Sequence, residues 1–240
     1  MPAIRTVVCF GDSITRGLIS ASYIELLEQR MGGEGYRFVN SGVNNDYAYN
    51  LVLRAGQVIA KDPQYITILI GTNDVIAMLA PIEGRVASLW KGLPNQPSLE
   101  WYRHKLLEVV RHLKIETAAH IALLSLPVLG EDLDTTPNLE VCRFNAVIQE
   151  TAAAEDVAYL PLYERQAETL RASGSYPGKP YFFSLLPTLE SIEHHIFRHE
   201  SLDEFSKRMG YLLLTDGVHL NSRGASLVAD EIEAFLRANP

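Results

Sequence analysis

Asp216 and His219 stand three residues apart in Asp216-Gly217-Val218-His219-Leu220-Asn221, with a glycine between them. On a turn, or on the first turn of a helix, that spacing can bring a carboxylate to an imidazole nitrogen. A carboxylate on Nδ1 fixes the tautomer and stabilises the imidazolium, which leaves Nε2 to take a proton from a nucleophile. A serine hydroxyl is a poor nucleophile without such a base. The serine to consider is Ser13, in Cys9-Phe10-Gly11-Asp12-Ser13-Ile14-Thr15-Arg16-Gly17. Acyl transfer also needs donors for the oxygen that gains charge. Gly42 offers a backbone N–H with no side chain in the way, Asn73 a side-chain N–H₂, and Ser13 its own N–H. Each residue also has a plain reading: Ser13 as a helix cap, Asp216 and Gly42 as turn residues, His219 as a solvent-facing or core histidine, and Asn73-Asp74 as a cap.

Those residues are useful together only if the fold gathers them. Thr6–Phe10 is an apolar strand that stops at Gly11, and a helical pattern over Ala21–Arg30 follows, so Ser13 is placed at the carboxyl end of a strand. In parallel α/β sheets this edge is where ligands bind. Tyr36–Asn40, Tyr65–Ile70, Ile121–Ser125 and Ala158–Leu160 read as further strands, with helices over Tyr47–Lys61, Leu99–Thr117, Leu139–Ala154 and Leu162–Arg171 between or after them. Gly42 follows the second strand and Gly71-Thr72-Asn73-Asp74 the third. Alternation of strand and helix implies a three-layer α/β/α sandwich with a parallel, doubly wound, five-stranded sheet. Residues 80–98, with several prolines and glycines, read as a loop insertion, and 176–214 as a helical insertion that forms part of a wall or roof above the strand ends. Asn221 or Ser222 caps the last helix.

The chain resembles the GDSL esterase/lipase family in its SGNH hydrolase form. Gly11-Asp12-Ser13-Ile14-Thr15 with Gly17 is similar to the family's first block, Gly42 stands where the second has its glycine, Gly71-Thr72-Asn73-Asp74 is similar to the third, and Asp216–His219 to the last. The blocks run in order along nearly the whole chain. The resemblance implies a flavodoxin-like sheet, no metal or cofactor, Ser13 as nucleophile, His219 as base, Asp216 as its orienter, and Gly42 and Asn73 as oxyanion donors with the Ser13 N–H. One departure is that Val43-Asn44-Asn45-Asp46 follows Gly42, where the family often has another glycine and a small hydroxyl residue. The implied reaction is ester hydrolysis on a small or medium acyl ester or an acetylated sugar, with a lysophospholipid or thioester of longer acyl chain as the alternative. The rival from another class is a non-catalytic module that holds an anion in the Gly11–Gly17 loop.

Composition fits one soluble domain. Of 240 residues, 47% are hydrophobic and 21% charged, enough for a sizeable core. A net charge of −8 argues against nucleic acid or anionic membrane as the main partner, since phosphate contacts need clustered Lys and Arg. Cys9 and Cys142 are too few for a disulfide framework and read as reduced core or near-core thiols. Met1-Pro2-Ala3-Ile4-Arg5 enters the first strand without a charged leader, so a cytoplasmic location without a membrane anchor is expected. His194, His195 and His199, with Glu193 and Glu200, read as a solvated helix face in preference to a metal site. Tyr181-Phe182-Phe183, Trp90 and Trp101 read as core before substrate wall, and Asp12 as a residue that orders its loop.

Overall fold

The computed structural model describes residues 4–182 and 200–239. Five strands form one all-parallel sheet: β1 (Arg5–Gly11), β2 (Tyr36–Gly42), β3 (Tyr65–Leu69), β4 (His120–Leu124) and β5 (Ala158–Leu160). Their spatial order is β2-β1-β3-β4-β5. The chain therefore leaves β1 towards one edge and returns to its other side, which opens a crevice at the carboxyl ends of β1 and β3. The expected three-layer α/β/α architecture is the one observed.

The two faces of each strand feed different cores, as the two-residue period of a strand requires. Val7 and Cys9 of β1 join Phe38, Tyr65, Leu69 and Leu124 under three helices: α2 (Tyr23–Met31), α8 (Leu162–Ala172) and α10 (Ser222–Ala238). Val8 and Phe10 join Ile66, Ile68 and Leu123 under α3 (Ala48–Ile59), α6 (Leu99–Glu116) and α7 (Thr136–Glu155). Strands buried on both faces read as nearly unbroken apolar runs, and β3 (Tyr65-Ile66-Thr67-Ile68-Leu69) is buried throughout. Shorter helices cluster at the site edge: α1 (Ser13–Arg16), α4 (Thr72–Leu79) and α9 (Leu202–Met209). Caps match the sequence: Asn221 accepts from the Gly224 N–H at the start of α10, and Ser22 from the Glu25 N–H at the start of α2.

Three expectations need correction. Within the region read as a loop insertion, Pro81–Trp90 is a helix, α5. Proline suits a helix start, and Ile82, Val86, Leu89 and Trp90 follow helical spacing, but these four side chains are exposed. No buried stripe marks them, so prolines and glycines dominate the local reading. Trp90 is accordingly not core. Cys142 is exposed on α7, whereas Cys9 is fully buried and its thiol is pushed up to about 12 by desolvation. In the 176–214 region α9 is helical; 183–199, including Phe183, His194, His195 and His199, lies outside the described residues.

The sheet register pairs Gly11 with Gly42 at the ends of β1 and β2. A Cβ on Gly42 would lie 2.3 Å from the Arg16 N and 2.7 Å from the Thr15 carbonyl carbon, so α1 rests directly on this glycine. Those atoms are backbone and cannot swing aside. Gly42→Ala is therefore expected to lower unfolding stability by about 1–3 kcal/mol, as overpacking does, measured by urea denaturation. An unchanged midpoint would show that α1 does not depend on this contact.

Candidate active site

Ser13 opens α1 directly after β1. Asp12 caps that helix by accepting the Ile14 N–H at 3.0 Å, and Gly17, at φ 73, ends it. This one-turn helix is held from below, where the Tyr23 hydroxyl donates to Thr15 Oγ1 at 3.0 Å. The Ser13 N–H has no hydrogen-bond partner among the described residues. Its hydroxyl meets His219 Nε2 at 3.0 Å.

His219 and Asp216 sit on the loop before α10. Asp216 Oδ2 lies 2.7 Å from His219 Nδ1, while Oδ1 accepts the backbone N–H groups of Val218 and His219 at 3.0 and 2.8 Å. The carboxylate is thus fixed by backbone before it meets the ring. Gly217 takes φ 94, a left-handed conformation that lets the loop fold back. The Thr215 N–H donates to the His219 carbonyl at 2.7 Å and closes it. Ser13, Asp216 and His219 are all buried. Burial disfavours the imidazolium, but the charge and hydrogen bond of Asp216, with Asp12 behind them, outweigh it and leave His219 above its ordinary 6.5.

Asn73 stands on α4, after β3. Its Nδ2 donates to the Asp46 carbonyl at 3.0 Å and, at a long 3.4 Å, to Asp12 Oδ2. The structure brings Ser13, His219, Asp216 and Asn73 to one edge of the sheet. Gly42 lies beside them, but its N–H donates to Asn40 Oδ1 at 2.9 Å, and Asn40 Nδ2 in turn donates to the Arg16 carbonyl at 3.1 Å. The N–H expected to face a substrate oxygen is therefore already engaged, because the asparagine two residues earlier folds back over it. In the following turn the N–H groups of Asn44 and Asn45 have no partner among the described residues, and Asn45 takes φ 59.

Several residues of the site escape a sequence reading. Arg54 of α3 donates from Nε to Asp46 Oδ2, from Nη1 to the Ser41 carbonyl and from Nη2 to the Gly11 carbonyl, each at 2.7 Å. Its guanidinium lies 4.5 Å from the Phe10 ring centre. One planar fork thus ties the turn before Ser13, the end of β2 and the loop whose backbone holds Asn73. Lys91 Nζ completes the neutralisation of Asp46 at 2.8 Å. A signal did exist: Leu51, Arg54, Ala55 and Val58 fall at the i, i+3, i+4, i+7 positions of a buried helix stripe, where an arginine needs partners. Asp12 behaves as the loop-ordering residue expected, and desolvation raises its carboxyl to about 6. Burial raises Asp74, beside Asn73, to about 8; its Oδ2 accepts the Ala48 N–H at 3.2 Å and its Oδ1 has no partner among the described residues. Of the aromatic residues considered, Phe182 is exposed, Trp101 packs against Tyr49 at 6.0 Å, and Tyr181 lies over Gly217, where a Cβ would sit 3.5 Å from its ring. Among the described residues no group of three or more His, Cys, Asp or Glu is arranged to hold a metal, and no helix is long and apolar enough to cross a membrane.

A doubly wound sheet with a serine, histidine and aspartate in line at its switch point is an architecture suited to hydrolysis. Residues 9–227 match the GDSL-like Lipase/Acylhydrolase family, so the chain belongs to that family and is a carboxylic ester hydrolase. No curated protein sequence matches it. Solved structures share its fold at low identity. An acetyl xylan esterase, AlAXEase, is 18% identical with a TM-score of 0.68, over 96% of this chain and 99% of that one. Axe2, an acetylxylan esterase from Geobacillus stearothermophilus, is 19% identical with a TM-score of 0.67, over 98% and 94%. LAE5, an alpha/beta hydrolase enzyme from the metagenome of Lake Arreo, Spain, is 17% identical with a TM-score of 0.67, over 98% and 95%.

Removing the fork should loosen the whole edge. Arg54→Ala takes one donor from each of two strand-end carbonyls and one of the two cations from buried Asp46, and is expected to cost about 3 kcal/mol of stability, as breaking a buried pair does. Thermal and urea unfolding check it; a loss below about 1 kcal/mol would mean that Lys91 alone suffices for Asp46.

Proposed function

We propose that the chain hydrolyses carboxylic esters through an acyl-enzyme on Ser13, with His219 as base and Asp216 as its orienter. The observation that carries this reading is the unbroken hydrogen-bonded line from Ser13 Oγ through both ring nitrogens of His219 to Asp216 Oδ2. Ser13 Oγ attacks the ester carbonyl while its proton passes to His219 Nε2; Asp216 holds the Nδ1 proton and stabilises the imidazolium. His219 then gives the proton to the leaving alcohol. Water, deprotonated by the same nitrogen, releases the acid and restores the serine.

The tetrahedral oxyanion takes the unpaired Ser13 N–H and the Asn73 amide, whose long contact to Asp12 is the one most readily exchanged for a substrate oxygen. With the Gly42 N–H engaged by Asn40, a third donor on that side has to come from the turn at Asn44 and Asn45. The rival anion-binding role is less well supported, since holding an anion at α1 needs no buried base within reach of the serine hydroxyl.

For the substrate we infer a small acyl group on a hydroxyl-rich alcohol, such as an acetylated sugar. The structural neighbours named as acetylxylan esterases favour this choice. Variants of Axe2 at a serine, an aspartate and a histidine are described as catalytic mutants, with the aspartate and histidine three residues apart there as here. A cytoplasmic setting belongs to the same reading, supported by the free thiols of Cys9 and Cys142.

Ser13→Ala should fold normally, lose labelling by a fluorophosphonate and lose ester hydrolysis by roughly a million-fold; retention of most activity would refute the assignment. A panel of acetyl to longer acyl esters then tests the substrate reading, which requires kcat/KM to fall with chain length. The base must be neutral to accept a proton, so kcat/KM should rise with pH through a midpoint above 6.5. Asp216→Asn removes the charge that raises His219 and leaves burial unopposed except by Asp12, so the midpoint should move down while activity drops. A midpoint unmoved in this variant would exclude His219 as the titrating base.

A further inference from the structure

Glu131 is an acidic residue buried to 2% exposure in the loop after β4, away from the line of reacting groups. Its carboxylate accepts three consecutive backbone N–H groups. Oε1 takes Leu212, Leu213 and Leu214 at 3.0, 2.7 and 3.0 Å, and Oε2 takes Leu212 at 2.8 Å. Three successive N–H groups turned to one side form a concave cradle for an anion, and here a side chain of the same protein fills it. Burial pushes this carboxyl up, but the three N–H groups and the charge of Arg223 oppose that.

The cradled segment is the limb that leads into the loop of Asp216 and His219. Leu214 pairs with Leu220 across that loop, and the Asn221 N–H returns to the Leu213 carbonyl at 3.0 Å. The tip is held from the same side, because the N–H of Gly130, next to Glu131, donates to the Gly217 carbonyl at 2.8 Å. The far limb is tied elsewhere: the Leu220 N–H donates to Ser20 Oγ at 3.0 Å and the Leu220 carbonyl accepts the Ala21 N–H at 2.8 Å. Glu131 is itself pinned, its N–H donating to the Lys179 carbonyl at 2.6 Å and its carbonyl accepting from Gly178 at 3.1 Å.

We propose that Glu131 is a positioning residue for the reaction: its carboxylate sets the height and tilt of the loop that presents Asp216 to His219 and His219 to Ser13. The inference rests on the acyl-enzyme reading above. A carboxylate is the suitable group because it has only acceptors. An amide of the same shape can keep one oxygen on the three N–H groups, but it sets an N–H₂ where Oε2 meets the Leu212 N–H at 2.8 Å, and the limb must shift to relieve that donor–donor contact. Two other side chains hold the entering limb, Asn221 Nδ2 donating to the Leu212 carbonyl at 3.0 Å and Ser206 Oγ to the Leu214 carbonyl at 2.6 Å, but both meet its carbonyls, whereas Glu131 meets its N–H groups.

The test compares wild type, Glu131→Gln and Glu131→Asp on one acetyl ester, with active sites counted by fluorophosphonate labelling so that rates refer to competent molecules only. Displacement of a reacting group by about 1 Å is worth on the order of a hundredfold in rate. In Glu131→Gln the kcat per labelled site should fall by that order with KM little changed, since Glu131 touches no substrate. The kcat/KM midpoint should also move to lower pH, because a loosened Asp216 no longer raises His219. Glu131→Asp keeps the charge and should recover part of both. A wild-type kcat per site with an unmoved midpoint in Glu131→Gln, even at a lowered yield of folded protein, overturns the proposal. If Glu131→Gln does not fold, Glu131→Asp decides by the same two readouts: a lowered kcat and midpoint support it, and wild-type values of both overturn it. Absence of a Ser13 adduct in the wild type would instead overturn the acyl-enzyme reading itself.

Discussion

Two parallel strands end side by side at Gly11 and Gly42, where the ladder stops and the Gly11 carbonyl takes the Val43 N–H of the following turn at 3.1 Å. Buried carbonyls short of donors are costly, so something must come to them. Arg54 does so from α3, reaching the Gly11 and Ser41 carbonyls and Asp46 with one planar group. Much of the site follows from this. With those carbonyls met from the outer side, β1 can turn sharply through Asp12 into α1, and α1 can rest on the bare backbone of Gly42. Asp46, held by Arg54 and Lys91, offers its own carbonyl to Asn73.

The site edge gathers acidic side chains, and each is accommodated differently. Asp46 is met by two cations, Asp216 by the imidazole and two N–H groups, Asp12 by the cap of its own helix, and Glu131 by three N–H groups of another segment. Asp74, with one oxygen that has no partner among the described residues, is instead raised to about 8 by burial. The division has a consequence for His219. Of these carboxylates only Asp216 is hydrogen-bonded to the ring, but Asp12 contributes to the same field, so the imidazole is raised above its ordinary value despite its burial.

The two loops that frame Ser13 differ in how they are held. The Ser13 turn is tied to the sheet by Arg54 and by the seat of α1 on Gly42. The Asp216–His219 loop lies outside the sheet, between β4's following loop and α10, and owes its place to Glu131, Gly130 and Ser20. Precision in a hydrolase of this kind depends on relating two such bodies to within a fraction of an ångström. Backbone hydrogen bonds to a buried carboxylate do this more rigidly than contacts between long exposed side chains.

Periodicity and chemistry along the chain were enough for the layer architecture, because strands covered on both faces and helices with one apolar stripe leave patterns of period two and 3.6 that survive without coordinates. Ser13, Asn73, Asp216 and His219 were legible for a related reason: each follows directly on a strand or precedes a capped helix, so local order already places it. Other parts depended on atoms far apart in sequence. Whether the Gly42 N–H is available turns on the rotamer of Asn40. The partners of Arg54 come from three segments, and those of Glu131 lie some eighty residues away. Helix α5 was hidden because Ile82, Val86, Leu89 and Trp90 face outward, and a pattern reveals a helix through what it buries. A chain's local preferences decide which elements form and what they carry; which buried polar group meets which is decided only when the elements close on one another, since each such group takes the partner that the assembled backbone leaves within reach.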